Sequence, residues 1–339
     1  MKIAENFKNI ILVLMSPIIF FLIIEFGFKI LHAFSDPEVS PSLIDGLPYE
    51  NTSNGWFLRY APSNGWIFYK NNSLGMRDVE RKFKKPYGTK RIVCLGDSIM
   101  FGGEVQFKKN FSQQLEKMLN GCFSFNIEVL NCGITSYSLR EYVIYLDKKG
   151  LKFDPDIVIV GLCLNDYASL RDNKDPNDQS DYHYNIDANK QHQFFRKTKR
   201  FFLHSYFIEY IKKSAELLSK KEKKSTKKNL NVENWFGTDK YFSELNRLCI
   251  RNKIKLFVVI FPNGNQLNSL VIDYEQPQAF ICSVLSKLNI SYIDLLKVYS
   301  LYQKQGKKVF SRFDSVHPLP LGHRIAAEEM SKKIVEEGF

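Results

Sequence analysis

The sequence predicts an α/β protein, with a parallel sheet of five strands covered by helices on both faces and an N-terminal transmembrane helix ahead of it. Three observations carry this expectation. Short apolar runs end in glycine or in polar clusters, the form of strands buried on both faces. Segments with helical spacing separate those runs. An apolar stretch near the start, Ile10 to Leu31, approaches the length needed to cross hydrocarbon.

The expected strands are 91–95, 127–130, 156–160, 256–260 and 291–294, and the clearest helices are 111–119, 139–148 and 322–337. Strands alternating with helices imply parallel pairing, because each crossover returns the chain to the same sheet edge. Reactive loops in such sheets leave the carboxyl ends of the strands. The residues found there are Gly96-Asp97-Ser98, Asn131-Cys132-Gly133 and Asn165-Asp166.

The chain divides in sequence into an N-terminal membrane anchor (or signal peptide) at 1–34, a linker and small aromatic β-rich flap at 35–87, and the main domain at 88–339. The main domain carries a basic insertion at about 168–235. No small-x-small cleavage pattern follows the apolar stretch, which favours an uncleaved anchor over a signal peptide or a buried helix. Lys2, Lys8 and the α-amine precede it, favouring a cytoplasmic N-terminus and an extracytoplasmic catalytic domain, although Lys29 and His32 flank the other end. In the flap, Ser53-Asn54-Gly55-Trp56 and Ser63-Asn64-Gly65-Trp66 repeat a turn signal ten residues apart. The expected product is a small β-meander packed over the main domain. Trp56 and Trp66 are candidate walls for a sugar ring or acyl chain.

The 339 residues, 44% hydrophobic and 25% charged, suffice for a large core and argue against wholesale disorder. The net charge of +12 is mostly local, since residues 190–228 hold 13 Lys/Arg against 3 Glu. Nucleic acid is therefore not an expected partner, although Lys220 to Lys228 could meet an anionic surface. The six cysteines lack Cys-x-x-Cys spacing, so neither a zinc site nor a disulfide scaffold is implied, and a Cys122–Cys132 bridge stays open. Neither a P-loop nor a dinucleotide fingerprint occurs, and no cofactor or metal is expected.

Acyl transfer by serine needs an exposed hydroxyl, a base, a group that orients the base, and donors for the oxyanion. Ser98 follows a strand through glycine, so its hydroxyl can project at the sheet edge. Asp314-Ser315-Val316-His317 sets a carboxylate three residues before an imidazole, expected on a turn entering a helix. The Ser98 N–H, the Gly133 N–H and the Asn165 amide are candidate oxyanion donors.

Gly96-Asp97-Ser98, Gly133, Asn165-Asp166 and Asp314-x-x-His317, in this order and strand context, resemble the GDSL-type, or SGNH, serine hydrolases. The likeness covers roughly residues 88 to 335. It implies a flavodoxin-like three-layer α/β/α sandwich, with Ser98 as nucleophile, His317 as base and Asp314 as its orienter. Gly133, Asn165 and the Ser98 N–H would form the oxyanion hole. Asn72-Ser73-Leu74-Gly75-Met76-Arg77-Asp78 looks like the lead-in of the membrane-anchored branch of that superfamily. Two positions depart from the family pattern: Cys163 stands where glycine is frequent, and Ile99 stands where leucine is usual.

Three further residues bear on the reading. Arg77 is a candidate contact for a substrate carboxylate or phosphate, with a structural ion pair as the alternative. His323 is expected to pack or cap at a helix start, and His204 to lie in a core or lid. The function expected is an extracytoplasmic serine esterase removing an acyl group, O-acetyl in chemistry, from an envelope glycan by way of an acyl-serine intermediate. The alternatives are O-acyl transfer to a polysaccharide by the same triad, and a non-catalytic glycan-binding module tethered to the membrane.

Overall fold

The computed structural model describes residues 13, 15–27, 39–61, 64–164, 166, 208, 211, 235–267, 276–311 and 314–338. The chain divides into two compact units, residues 1–36 with 187–221 and residues 37–186 with 222–339. In the first unit, residues 15–27 are helical, with Ile18, Ile19, Phe20, Leu22, Ile23 and Phe26 exposed and Glu25 buried. Thirteen helical residues rise about 20 Å. Among the described residues no helix is long and apolar enough to cross a membrane. His204, Lys220 to Lys228 and most of the expected insertion lie outside the described residues.

The second unit is built on five parallel strands: β5 (Thr89–Gly96), β6 (Asn126–Gly133), β7 (Ile157–Cys163), β8 (Lys255–Phe261) and β9 (Ser291–Asp294). Their spatial order is β6-β5-β7-β8-β9, which is the flavodoxin-type order 2-1-3-4-5. All five strands expected from sequence are present. Period-two alternation sends Val93, Leu95, Leu130, Val158, Val160 and Val258 to one face, and Ile92, Cys94, Val129, Ile157, Ile159 and Phe257 to the other. Helices Leu139–Lys148, Asp239–Arg251 and Gln276–Lys287 cover the first face, and Phe111–Cys122 and Pro320–Glu336 cover the second. Each fully buried aliphatic or aromatic side chain contributes about 1.5–3 kcal/mol, so these two cores are the main favourable term.

The helix starts follow local chemistry. Asn110 caps Phe111–Cys122 by accepting from the Gln113 N–H at 2.8 Å. Ser138 and Glu141 form a capping box at Leu139–Lys148. Pro320 opens the last helix, two residues earlier than its spacing suggests.

The flap consists of two separate antiparallel pairs: β1 (Val39–Pro41) with β2 (Tyr49–Asn51), and β3 (Trp56–Ala61) with β4 (Gly65–Lys70). Asn54, at φ +52°, and Gly65, at φ +72°, supply the left-handed backbone that their turn signals imply. The 37–87 segment is woven into the sheet unit. Asn51 Nδ2 donates to Gly133 O at 3.0 Å and Tyr49 Oη to Thr135 O at 2.8 Å. Asp78 accepts from Arg81, Gln113 and the Asn131 N–H. Arg81 continues to Glu116 at 2.6 Å, and Arg91 pairs with Glu128 at 2.6 Å. This buried network ties the lead-in to β6 and to helix Phe111–Cys122.

Arg77 is buried among backbone carbonyls and an aromatic ring, not presented to solvent as a substrate contact would be. Its guanidinium is 1% exposed and donates to the carbonyls of Phe101 (3.3 Å), Gly102 and Val105 (2.8 Å). It also lies 4.3 Å from the centre of the Tyr69 ring. The six cysteines are free thiols; Cys122 is exposed and Cys132 is buried, so no bridge joins them.

Arg77→Met should lower stability by about 3 kcal/mol, because the Gly102 and Val105 carbonyls lose buried donors. The midpoint of urea unfolding measures this, and an unchanged midpoint would show that the clamp is dispensable.

Candidate active site

The strand order reverses at β5, so the chain leaves β5 toward one side and β7 toward the other. Crevices form at such switch points, beyond the carboxyl ends of the strands. Ser98 stands there, as the first residue of a short helix, Ser98–Phe101, that follows β5 through Gly96 and Asp97. Asp97 is 1% exposed, and its Oδ1 accepts from the Ile99 N–H at 2.8 Å. Its Oδ2 lies 3.4 Å from Ser98 Oγ. Burial pushes the Asp97 carboxyl above its ordinary 3.8, against the opposing pull of the Ile99 N–H and His317.

Asp314 and His317 arrive from the other end of the chain. They lie on a short strand, β11 (Asp314–Pro318), paired with β10 (Phe310–Ser311), rather than on a turn entering a helix. Pro318 and Pro320 keep this segment extended and delay the helix. Asp314 Oδ1 accepts from the Val316 and His317 N–H groups at 2.8 and 3.1 Å, which fixes the carboxylate against its own backbone. The loop after β8 braces this strand, through Asn265 Nδ2 donating to Ser315 Oγ at 3.2 Å.

The structure brings the three side chains together. His317 Nδ1 lies 2.7 Å from Asp314 Oδ2, and Nε2 lies 2.8 Å from Ser98 Oγ. With the carboxylate accepting from Nδ1–H, Nε2 presents its lone pair to the serine O–H. Burial favours neutral imidazole, but the hydrogen bond and charge of Asp314, reinforced by Asp97 and Glu104, outweigh it and hold the His317 pKa above 6.5. Burial would likewise raise Asp314. The His317 bond and charge and the two backbone N–H groups overcome this and hold its pKa below 3.8. The pair therefore favours imidazolium–carboxylate, the charge state that must form when serine is deprotonated.

The remaining sequence candidates have other surroundings. The Gly133 N–H, expected to face the oxyanion, donates to Asn131 Oδ1 at 3.1 Å. Glycine is required there for space, because a Cβ would lie 2.2 Å from the Phe101 nitrogen. Strand β6 thus passes directly against the helix Ser98–Phe101. Asn165 lies outside the described residues. Asp166 is fully buried and braces the end of β7, with Oδ2 accepting from the Cys163 N–H at 2.7 Å and its carbonyl from the Leu139 N–H at 3.3 Å.

Trp56 and Trp66 share one face of the β3–β4 hairpin with Phe68, and the opposite face carries Phe57, Ile67 and Tyr69. That second face packs with Phe101 of the nucleophile helix. The hairpin register therefore turns both tryptophans away from Phe101, with Trp56 stacked on Phe68 at 5.9 Å. His323 is 1% exposed, and burial pushes its pKa down to about 3, so it is a neutral packing residue.

Sequence reasoning missed Glu104 and Arg59. A carboxylate oxygen of Glu104 lies within 4.8 Å of the nearest ligand atoms of both Asp314 and His317. Its only signal in the sequence is a charge directly after Gly102-Gly103, where the short helix breaks with Gly102 at φ +80°.

No family model matches the sequence, and no curated protein matches it. Solved structures to which the chain is similar include the acetyl xylan esterase AlAXEase, at 15% identity and TM-score 0.44, over 72% of this chain and 99% of that one. A Geobacillus acetyl-xylooligosaccharide esterase is 15% identical with TM-score 0.45, over 74% and 94%. A member of the lipolytic protein G-D-S-L family from Veillonella parvula is 13% identical with TM-score 0.42, over 73% and 98%. At such scores these likenesses add nothing to what the geometry of the site itself establishes.

Gly133→Ala should cost about 3 kcal/mol, since its methyl meets backbone and not a movable side chain. Equal thermal midpoints for variant and parent would contradict the close approach. Only neutral His317 can take the serine proton, and its pKa is raised above 6.5. Any Ser98-dependent rate should therefore fall on acidification with a midpoint above that value. Asp314→Asn should lower the rate by about 1,000-fold or more, by removing the group that sets the tautomer.

Proposed function

We propose that this protein is a serine esterase of the GDSL type, hydrolysing an O-acyl ester by way of an acyl-Ser98 intermediate. The observation that carries the reading is the continuous relay from Ser98 Oγ through His317 to Asp314, with contacts of 2.8 and 2.7 Å. Ser98 Oγ attacks the acyl carbon while His317 Nε2 takes its proton. The tetrahedral intermediate then collapses, and the leaving alcohol oxygen takes that proton from Nε2. Water repeats the sequence on the acyl-serine and releases the acid and the free hydroxyl. The Ser98 N–H and the Asn165 amide are the proposed oxyanion donors, since the Gly133 N–H is engaged by Asn131.

The substrate proposed is a short acyl ester, O-acetyl on an envelope glycan, with the catalytic domain held outside the cytoplasmic membrane. What supports this location is the apolar segment 10–31, preceded by Lys2 and Lys8, and the exposed apolar side chains of helical residues 15–27. The membrane-anchored branch of the superfamily is proposed on the same ground, together with the Asn72–Asp78 lead-in.

Full-length protein in detergent micelles should release p-nitrophenol from p-nitrophenyl acetate, and Ser98→Ala should lose at least ~100-fold of that rate. Equal rates for the two would sink the esterase reading. Supplying a polysaccharide acceptor with the ester should leave acetate as the main product. Acetylated polysaccharide in its place would make the protein a transferase. A folded protein that a fluorophosphonate probe does not label at Ser98 would instead be a binding module.

A further inference from the structure

The relay leaves one carboxylate at the catalytic centre unaccounted for. Glu104 is 8% exposed. One of its carboxylate oxygens, a ring nitrogen of His317 and a carboxylate oxygen of Asp314 lie within 4.8 Å of one another. Glu104 is ion-paired with Arg59, Nη2 to Oε1 at 3.4 Å, and the Arg59 side chain is 43% exposed on the β3–β4 hairpin.

The backbone carrying Glu104 is held from several directions. Asn64 Nδ2 donates to the Glu104 carbonyl at 2.6 Å, and Tyr69 Oη donates to the Gly103 carbonyl. Arg77 donates to the carbonyls on either side, at Gly102 and Val105. The Gly103 N–H returns to Ser98 O at 3.0 Å. Every one of these anchors comes from the lead-in, the hairpin or the nucleophile helix. The loop is thus fixed to the same frame as Ser98, and its one acidic side chain is delivered to the imidazole. Residues 102–105 are buried, and four side-chain donor groups satisfy their successive carbonyls.

We propose that Glu104 is a positioning residue for the reaction at Ser98, a further carboxylate beside Asp314 and Asp97 that stabilises the imidazolium form of His317, with Arg59 on the hairpin limiting how strongly it does so. The inference rests on the serine-nucleophile reading of the site. The imidazolium forms when Nε2 takes the serine proton and disappears when the leaving oxygen receives it. A carboxylate within about 4–6 Å favours the charged ring, and the burial of Glu104 itself limits screening by solvent. Arg59 opposes this effect from the flap, so substrate contact with the hairpin would alter the basicity of His317.

Among the described residues the other groups that bear on the ring are Asp314 of β11, Asp97 ahead of the Ser98 helix, and neutral His323 of the C-terminal helix, with buried Arg77 acting on the last. All four stay in place when Glu104 or Arg59 is changed.

The test is a nitrogen-15 NMR titration of the His317 ring in full-length protein in micelles, alongside the acid limb of kcat/KM for p-nitrophenyl acetate. Glu104→Gln should lower the His317 pKa by about one unit, and Arg59→Gln should raise it by a smaller amount. A shift of the same sign in both variants, or neither exceeding about 0.2 unit, would overturn the proposal. If Glu104→Gln does not fold, Glu104→Asp keeps the charge at a greater distance and should still lower the pKa measurably; an unchanged value there would overturn it equally. The titration reads the ring without any substrate. A protein that hydrolyses no ester but shows the two predicted shifts, down for Glu104→Gln and up for Arg59→Gln, would retire the esterase reading and leave the effect of Glu104 on the His317 ring standing.

Discussion

The buried guanidinium of Arg77 holds together parts of the chain that otherwise share no continuous element. Desolvating a cation is expensive, and here carbonyl oxygens of Phe101, Gly102 and Val105 and the face of Tyr69 replace lost water. Those carbonyls belong to the end of the nucleophile helix and the loop behind it. One side chain from the lead-in therefore fixes where the Ser98 helix stops, where Glu104 emerges and where the β3–β4 hairpin rests. This explains why residues 37–87 fold into the sheet unit rather than beside it.

A second constraint acts from below the site. Strand β6 runs so close to the nucleophile helix that only glycine fits at position 133. The Asn131 side chain, two residues earlier, takes up the Gly133 N–H, and its own N–H is held by Asp78 of the buried ionic network. Ser98 is consequently braced by packing from β6 and by hydrogen bonds from the lead-in. A serine held on a four-residue helix needs such support, because so short a helix has little stability of its own.

Three carboxylates bear on the single imidazole of the site. Asp97, Glu104 and Asp314 all raise the affinity of His317 for a proton, and Arg59 is ion-paired with Glu104. An excess of negative charge favours the imidazolium of the transition state, at the cost of making the ring harder to deprotonate beforehand. The two effects oppose each other in the proposed reaction. A single exposed arginine on a hairpin is a natural place to adjust that balance.

Much of this architecture was legible in the residues. The five strands, the flanking helices and the placing of Ser98 at a strand end follow from apolar runs, spacing and glycine breaks, which are local properties. The pairing of Asp314 with His317 was likewise a matter of spacing along the chain. Tertiary structure alone decided the rest. Register turned Trp56 and Trp66 away from the nucleophile helix, because alternation along a hairpin assigns faces only once the partner strand is known. The burial of Arg77 and the engagement of the Gly133 N–H depend on atoms 24 or more residues away or on a side-chain rotamer, neither of which periodicity encodes. Glu104 reaches His317 across 213 positions of sequence, a proximity that arises only when β5 and the final hairpin meet at the carboxyl edge of the sheet.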